Sequence, residues 1–326
     1  MEDCKTQTSP SIERLSAPAK RRAVIDVGTN SVKLLVADIF DSEVIPVEEL
    51  SKQTRLGRGF YETHQLQPEA ISATAQAVEK FAAQAKALQV ENIRVIATSA
   101  ARDAINAHDL IDAIQASSGL PVEIISGQQE ADWVFRGVAS DPKLAGSPLL
   151  IIDVGGGSTE FILGEGTHQY FRNSFRLGSV RLLEQLKPGD PPGAAALAGC
   201  RQSLKKFLNE QIAPELNPAL KQSEPVLLVG TGGTATILAR MEKQLEDFHR
   251  EEIEAARLSL SQVNLHMHRL WNISMEERRK IVGLPPKRAD VILTGLAIYE
   301  ATLECFGFNE LRISTRGLRY AAVLEE

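Results

Sequence analysis

One glycine-rich pattern occurs twice in this sequence, and the two copies lie more than a hundred residues apart. Residues 25–37 read IDVGTNSVKLLVA, and residues 152–164 read IDVGGGSTEFILG. In both copies an apolar run ends in Asp, glycine follows, and a second apolar run begins, which predicts a strand, a tight turn and a strand. The separation is too long for a solenoid repeat. The pattern therefore predicts two related α/β domains, each opening with a β-hairpin whose turn faces a shared cleft.

The second copy carries a distinctive set of polar groups. Its three glycines, residues 155–157, lack a Cβ, so the turn can expose N–H groups to a ligand. Asp153 and Glu160 flank the turn and suit a metal-bound phosphate, with amides on the phosphoryl oxygens and carboxylates on the cation. An ordinary tight turn is the alternative interpretation. Because Lys33 occupies the position of Glu160 in the first copy, the first turn favours an anion and the second favours metal or proton chemistry.

A third glycine-rich segment follows a buried apolar run. Residues 226–229 are apolar, residues 230–234 read GTGGT, and a helix is predicted from Ala235. A strand, a glycine turn and a helix N-terminus in this order are typical of an anion or nucleotide site.

Two further charged residues follow predicted strands of the first domain. Residues 93–97 form a strand that leads through small hydroxyl residues to Arg102, and ligands usually bind at such strand ends. The forked donors of Arg102 suit a phosphate, although a surface ion pair with Asp103 is the alternative. Glu130 lies in the first turn of the next helix, where the macrodipole alone favours an acid. Its position after a Ser-Gly turn also suits a cleft.

Composition limits the class of protein. The chain has 326 residues, of which 43% are hydrophobic, enough for about two domains with buried cores. The formal net charge is −6, so a polyanionic ligand must be held by local groups and not by a general basic field. This balance argues against nonspecific nucleic-acid binding as the main role.

The remaining sequence features indicate a cytoplasmic protein. Residues 1–21 are rich in polar residues and proline and predict a disordered tail, with no apolar segment of a signal peptide. Cys4, Cys200 and Cys305 are widely spaced and odd in number, so neither a disulfide framework nor a zinc site is expected. No apolar run approaches the length of a membrane span.

The order of the motifs resembles that of the actin/Hsp70/sugar-kinase superfamily. Within it, residues 22–326 closely resemble the exopolyphosphatase/guanosine-pentaphosphate phosphohydrolase (Ppx/GppA) family. The matching motifs are IDVGTNSVKLLV, ATSAAR, ISGQQEA, IDVGGGSTEF, LGSVRL, VGTGGT, LPPKRADVILTG and STRGLRYA. The resemblance implies an α/β fold of two ribonuclease-H-like domains, each a mixed five-stranded sheet with flanking helices, and a cleft between them. Residues 22–128 with 310–326 are expected to form the first domain, and residues 129–309 the second.

The resemblance also implies an activity: Mg²⁺-assisted, in-line attack of water on the terminal phosphoanhydride of inorganic polyphosphate, of pppGpp, or of both. Mn²⁺ is an alternative metal, and a monovalent cation is a further candidate. The expected assembly is a cytoplasmic homodimer with neither a nucleic-acid nor a membrane partner. Two alternatives stay open: an ATP-dependent kinase of the same superfamily, and a non-catalytic sensor that binds (p)ppGpp or polyphosphate.

The family's residue roles fall on the motifs described above. The resemblance assigns Glu130 to the attacking water, and Asp153 and Glu160 to Mg²⁺ and to orienting that water. Arg102 completes the expected catalytic set. The expected phosphate-binding residues are Gly28, Thr29, Asn30, Ser31, Lys33, Gly155, Gly156, Gly157, Ser158 and Thr159. The residues expected to hold a nucleotide or further polyphosphate are Gly230, Thr231, Gly232, Gly233 and Thr234.

Overall fold

The structure is a computed structural model that describes residues 20–223 and 225–325. Residues 1–19 of the predicted tail lie outside this part of the chain. The tail prediction is wrong for Lys20 and Arg21, which form the start of the first strand. Arg21 is held there by an ion pair with Asp38 on the adjacent strand, at 2.7 Å between Nε and Oδ1.

The first sheet has five mixed strands, as predicted, in the order β3-β2-β1-β4-β5. The first three strands form an antiparallel meander, and β4 and β5 continue the sheet in parallel with β1. Its strands are β1 (Lys20–Val27), β2 (Ser31–Phe40), β3 (Glu43–Gln53), β4 (Asn92–Ala97) and β5 (Val122–Ile124).

The second sheet repeats this plan with one additional strand, in the order β10-β11-β9-β6-β7-β8. Its strands are β6 (Leu149–Val154), β7 (Thr159–Glu165), β8 (His168–Phe175), β9 (Leu227–Thr231), β10 (Arg257–Ser259) and β11 (Glu310–Ile313). The sixth strand, β10, was not predicted. It has only three residues and joins the sheet by pairing with β11, so no local pattern marks it.

The position of β11 differs from the predicted division of the chain. This strand pairs in parallel with β9, through Arg312 with Val229 and Ile313 with Gly230. Residues 310–313 therefore lie in the second sheet and not with the first domain, where residues 310–326 were expected. The helix that follows them does pack against β1.

Helices cover both sheets on their outer faces and also fill the space between them. The helices are α1 (Phe60–Thr63), α2 (Pro68–Ala87), α3 (Ser99–Asp103), α4 (Ala107–Ser118), α5 (Gly127–Ala139), α6 (Ser179–Leu186), α7 (Gly193–Phe207), α8 (Ala213–Gln222), α9 (Gly232–Lys243), α10 (Arg250–Glu254), α11 (Leu260–Asn272), α12 (Met275–Arg278), α13 (Ile292–Phe306) and α14 (Leu318–Ala322), with a π-helical turn at Leu208–Ile212 and a 3₁₀ turn at Pro286–Arg288. Across residues 20–223 and 225–325, each helix is too short or too polar to cross a lipid bilayer.

Each domain has its own apolar core, and a third apolar core lies between the two sheets and joins the domains. It combines Ile96 of the first sheet and Ile151 of the second with Trp133 of α5 and Tyr320 of α14. The two helices also pack directly on each other. Because α5 carries Glu130, this candidate catalytic residue lies on an element that packs against both domains.

Gly137 of α5 lies in close contact with the chain at the start of α14. A Cβ at this position would lie 2.2 Å from the carbonyl oxygen of Gly317, the residue immediately before α14. We expect Gly137→Ala to lower the free energy of unfolding by about 1–3 kcal/mol, because a backbone atom must move. Gly199→Ala in α7 is the matched control. Its added Cβ meets no atom within 4 Å, so it should raise stability by roughly 0.5–1 kcal/mol through helix propensity.

Urea unfolding of both variants beside the parent protein measures these changes. A Gly137→Ala protein as stable as the parent would contradict the tight packing of α5 on α14.

Candidate active site

The two glycine-rich turns adopt the same closed conformation. Each links a pair of antiparallel strands, β1 with β2 and β6 with β7. The Gly28 amide donates to the Ser31 carbonyl at 3.1 Å, and the Gly155 amide donates to the Ser158 carbonyl at 3.0 Å. The amides of Gly28 and Gly155 are thus used inside their own turns. Amides that donate to phosphate were predicted along the whole of each turn. They must come from turn residues other than Gly28 and Gly155.

The turns face one another in direct contact, as the repeat predicted. Cβ atoms built on two of the glycines show why no side chain fits there. At Gly156 the Cβ would lie 2.8 Å from the Thr29 Cβ, and at Gly157 it would lie 2.4 Å from the Tyr61 hydroxyl oxygen. Both glycines belong to the second domain, and both contacts are with the first. The glycines are therefore required by the close approach of the two domains.

Arg181 links the two domains beside the contact between the turns. Its Nε donates to the Gly157 carbonyl and its Nη2 to the Asp103 carboxylate, each at 2.9 Å. The guanidinium also lies over the Tyr61 ring, 4.2 Å from its centroid. Arg181 thus links the second turn to the first domain. The Asp103 carboxylate, the alternative partner of Arg102, pairs with Arg181 instead.

A cavity of about 70 Å³ lies where the turns meet. Most of the predicted site residues line it, and these are Gly28, Thr29, Asn30, Ser31, Lys33, Glu130, Asp153, Gly155, Gly156, Gly157, Ser158, Glu160, Gly233 and Thr234. The structure adds Asp26, Thr98, Ser99, Ser179 and Arg288 to this wall. The repeat, the third glycine motif and Glu130 are therefore brought to one place.

Some predicted residues do not reach this cavity. Thr159 faces the opposite side of β7, where its hydroxyl donates to the Leu177 carbonyl at 2.5 Å. Gly230 lies within β9 against Tyr299, and the Thr231 hydroxyl donates to the Arg316 carbonyl. These positions support the wall of the cavity without lining it.

Gly232 has a different relation to the site. It begins α9, three residues before the predicted helix start, and has a φ of +81°. A Cβ there would lie 2.2 Å from Oδ1 of Asp153. Glycine at this position therefore leaves room for the Asp153 carboxylate.

Four carboxyl groups line the cavity: Asp26, Glu130, Asp153 and Glu160. Burial raises the pKa of Glu160 well above its usual range, and the neighbouring Glu130 and Asp153 carboxylates raise this pKa further. Burial likewise raises the pKa of Asp153, against the lowering effect of Lys33. The ionised forms of these acids are therefore unfavourable in the cavity unless a cation lies nearby.

Glu130 is placed by the first turn of α5 and by Arg102. The Ser126 hydroxyl caps the helix by accepting a hydrogen bond from the Gln129 backbone amide. Glu130 is the next residue and therefore lies in the first turn. Nη1 of Arg102 donates at 3.0 Å both to Oε2 of Glu130 and to the Ile125 carbonyl. Burial raises the pKa of Glu130 to about 7, although Arg102 acts to lower it. Arg102 thus acts on Glu130, whereas the sequence had suggested a phosphate contact.

Two cations face the carboxylates. Lys33 lies directly across from Asp26 in the β1–β2 pairing. Arg288 reaches the first domain, where its Nη2 donates to the Ser31 hydroxyl at 2.7 Å, and desolvation lowers its pKa to about 10. Arg288 lies in the LPPKRADVILTG motif but was not among the expected site residues, because a basic residue before a long helix carries no specific signal.

A second cavity of about 470 Å³ adjoins the first. The two share Ser31, Lys33, Gly233 and Arg288. Cationic side chains from both domains line the second cavity, together with an apolar wall. The cations are Lys33, Lys52, Arg240, Lys287, Arg288 and Arg319, and the apolar wall is formed by Leu50, Ile237, Phe248 and Pro285.

Asp153 and Glu160 are suited to a hard cation. They are direct cross-strand partners in β6 and β7, and both line the cavity. Nearby, Oδ1 of Asp26 is buried and has no hydrogen-bond partner among the described residues. Within the same part of the chain, no three Asp, Glu, His or Cys side chains form a ready-made metal cage. Two carboxylates are enough for Mg²⁺, which keeps several of its waters.

Comparison with known proteins agrees with this geometry. The sequence model of the Ppx/GppA phosphatase family matches residues 35–326. The chain belongs to this family. Exopolyphosphatase 2 of Mycobacterium tuberculosis is 32% identical over 313 residues, which cover 90% of this chain and 94% of that protein. A guanosine-5′-triphosphate,3′-diphosphate pyrophosphatase of Vibrio parahaemolyticus is 29% identical over 307 residues, and this chain spans only 58% of its length.

Solved structures of the Ppx/GppA family share the fold. The Aquifex aeolicus PPX-GPPA enzyme superposes with a TM-score of 0.76 at 32% identity, over 95% of this chain and 100% of that one. An exopolyphosphatase from Cytophaga hutchinsonii gives a TM-score of 0.83 at 29% identity, over 93% and 96% of the two chains. The predicted membership of the family is confirmed.

The raised pKa of Glu130 predicts a pH-dependent loss of stability. Its pKa rises from 4.5 to about 7 on folding, so the unfolded chain ionises first. Stability is therefore lost as the pH rises through this interval, and the loss is complete above pH 7. Because Gln cannot ionise, Glu130→Gln should gain stability relative to the parent between pH 5 and pH 8, by an amount on the order of a few kcal/mol.

Urea unfolding at several pH values, with EDTA present to remove divalent metal, measures this gain. Glu123→Gln is the control, since Glu123 is half-exposed and pairs with Arg94 on the surface. It should show no gain comparable to that of Glu130→Gln over this range. A constant difference between Glu130→Gln and the parent over this range would contradict the burial of an ionisable Glu130.

Proposed function

We propose that this chain is a phosphohydrolase that releases the terminal phosphate of inorganic polyphosphate, of pppGpp, or of both. The observation that carries the proposal is the position of Glu130. Its buried carboxyl group lines the same small cavity as two glycine turns, two basic side chains and the Asp153–Glu160 pair. That arrangement joins a proton acceptor to groups that bind phosphoryl oxygens, which is what hydrolysis of a phosphoanhydride needs.

Water attacks the terminal phosphorus in line with the bond that breaks. Glu130 accepts a proton from this water as the new P–O bond forms, and the bridging oxygen leaves with the shortened substrate. A pKa of about 7 suits Glu130 to this role near neutral pH. Lys33, Arg288 and the free amides of the turns hold the phosphoryl oxygens and stabilise their charge.

Asp153 and Glu160 would hold Mg²⁺, with Mn²⁺ as the alternative and a monovalent cation as a further candidate. The bound divalent ion supplies positive charge for the phosphoryl oxygens. Two observations support these carboxylates as metal ligands: they pair directly across β6 and β7, and Glu160 is buried. It also agrees with the raised pKa of Glu160, since a cation would offset the cost of burying this charge.

The second cavity would receive the part of the substrate that does not react. Its cations suit further phosphates, and its apolar wall suits a nucleoside, so both substrates named for the relatives fit. A kinase of the same superfamily is less well supported, because Glu130 faces the phosphate turns where an attacking water would stand. A sensor without activity would not require the complete carboxylate set.

We further propose that the protein works as a homodimer in the cytoplasm, without a nucleic-acid or membrane partner. The cysteines Cys200 and Cys305 are both unpaired thiols, which agrees with a reducing compartment. The net charge of −6 agrees with local recognition of a polyanion.

Glu130→Gln tests the mechanism. We expect phosphate release from polyphosphate to fall by about 10²–10⁴-fold, as for the loss of a general base, while substrate binding is retained. Phosphate release and equilibrium binding of short polyphosphate, measured on the same preparation, separate the two effects. Release at the parent rate would refute the assignment of Glu130.

The same assay, run with long polyphosphate, short polyphosphate and pppGpp in the presence of Mg²⁺, ranks the substrates. A preference of tenfold in kcat/KM corresponds to about 1.4 kcal/mol of transition-state binding and would identify the main one. Incubation with ATP and candidate sugars tests the alternative that the protein is a kinase. A phosphorylated sugar without free phosphate would overturn the proposal.

A further inference from the structure

Ser174 lies beside the carboxylate pair but has no role in the chemistry described above. It belongs to β8, one of the two edge strands of its sheet, and is the direct cross-strand partner of Glu160 on β7. Its hydroxyl donates to Oε1 of Glu160 at 2.7 Å. A hydrogen bond of this length is typical of a well-formed O–H···O pair and restrains the orientation of the buried Glu160 carboxyl group. Glu160 also has a side-chain hydrogen bond with Ser158 of its own turn.

Ser174 also contacts the helix that carries Glu130. A Cβ built on Gly127, the first residue of α5, would lie 2.7 Å from the Ser174 Cβ and 3.0 Å from its Oγ. The start of α5 therefore rests on Ser174, and only glycine permits this approach. The same side chain touches Glu160 and the first turn in which Glu130 lies.

Neighbouring polar contacts also hold β8 against α5. Arg172 of β8 forms an ion pair with Asp132 of α5 at 2.7 Å, and its Nε donates to Gln128 at 3.2 Å. The Gln128 amide in turn donates to the Asn173 side chain at 3.3 Å. With α5 held on β8 in this register, the Ser174 hydroxyl, together with that of Ser158, sets the orientation of Glu160 relative to Glu130.

We propose that Ser174 is a positioning residue for the divalent metal: its hydroxyl fixes one oxygen of Glu160 so that the other is presented to the cation. This inference rests on the proposed role of Asp153 and Glu160 in metal binding. Hydrogen-bond partners of metal ligands commonly contribute tenfold to a hundredfold to metal affinity. Ser174→Ala should therefore weaken binding of the metal even when no substrate is present.

Binding of Mn²⁺ to the full chain, followed by electron paramagnetic resonance without substrate, is the direct test. We expect Ser174→Ala to raise the Mn²⁺ dissociation constant by about tenfold or more. Ser223→Ala is the matched control, because Ser223 donates a similar hydrogen bond, to the Ala219 carbonyl at 2.9 Å, at the end of α8. It should bind Mn²⁺ as the parent does. Ser174→Cys keeps an unbranched side chain, slightly larger than the native one, with a weaker donor, so it tests the inference even if the Ala variant fails to fold.

Glu160→Gln distinguishes a failure of the proposed role of Ser174 from a failure of the proposed metal site. If Glu160→Gln loses Mn²⁺ binding while both Ser174 variants bind as tightly as Ser223→Ala, the role of Ser174 is refuted and the metal assignment stands. If the parent binds no Mn²⁺, or Glu160→Gln binds it as the parent does, the metal assignment itself fails and the inference fails with it. Weakened binding in the Ser174 variants and in Glu160→Gln, with an unchanged Ser223→Ala, supports it.

Discussion

Two backbone turns touch across the domain junction, and the rest of the site depends on that contact. The contact is possible only because Gly156 and Gly157 present no side chain to Thr29 and Tyr61. Close approach places Lys33 and Arg288 opposite a group of carboxylates. The like charges would repel one another in an open, hydrated cleft far less than they do in this buried one. The geometry of two turns thus creates the electrostatic environment of the site.

Local sequence patterns were sufficient for most of the fold because the main elements are strongly periodic. The hairpins β1–β2 and β6–β7 were predicted from apolar runs around glycine, and β4 and β9 from apolar runs that end in small or glycine residues. Pairings between distant segments left no such mark. The three residues of β10 and the attachment of β11 to β9 depend on contacts between segments far apart in the chain.

The same distinction explains which site residues were found. The turns and Glu130 belong to motifs with a local chemical meaning, and the structure brings them together. Thr159 was included although alternation along a strand places it on the face opposite Glu160. Arg288 and Ser174 become meaningful only through partners in other elements, Ser31 and Glu160 respectively. No pattern in a single sequence indicates such pairings.

The placement of α5 between the two sheets has a consequence for the integrity of the site. Its first turn is bonded on one side to Arg102 of the first domain and rests on the other against β8 of the second. A movement of one domain relative to the other would therefore disturb one or both of these attachments. The positions of Glu130 and Glu160 relative to each other are thus a property of the two domains together, and neither domain alone would preserve them.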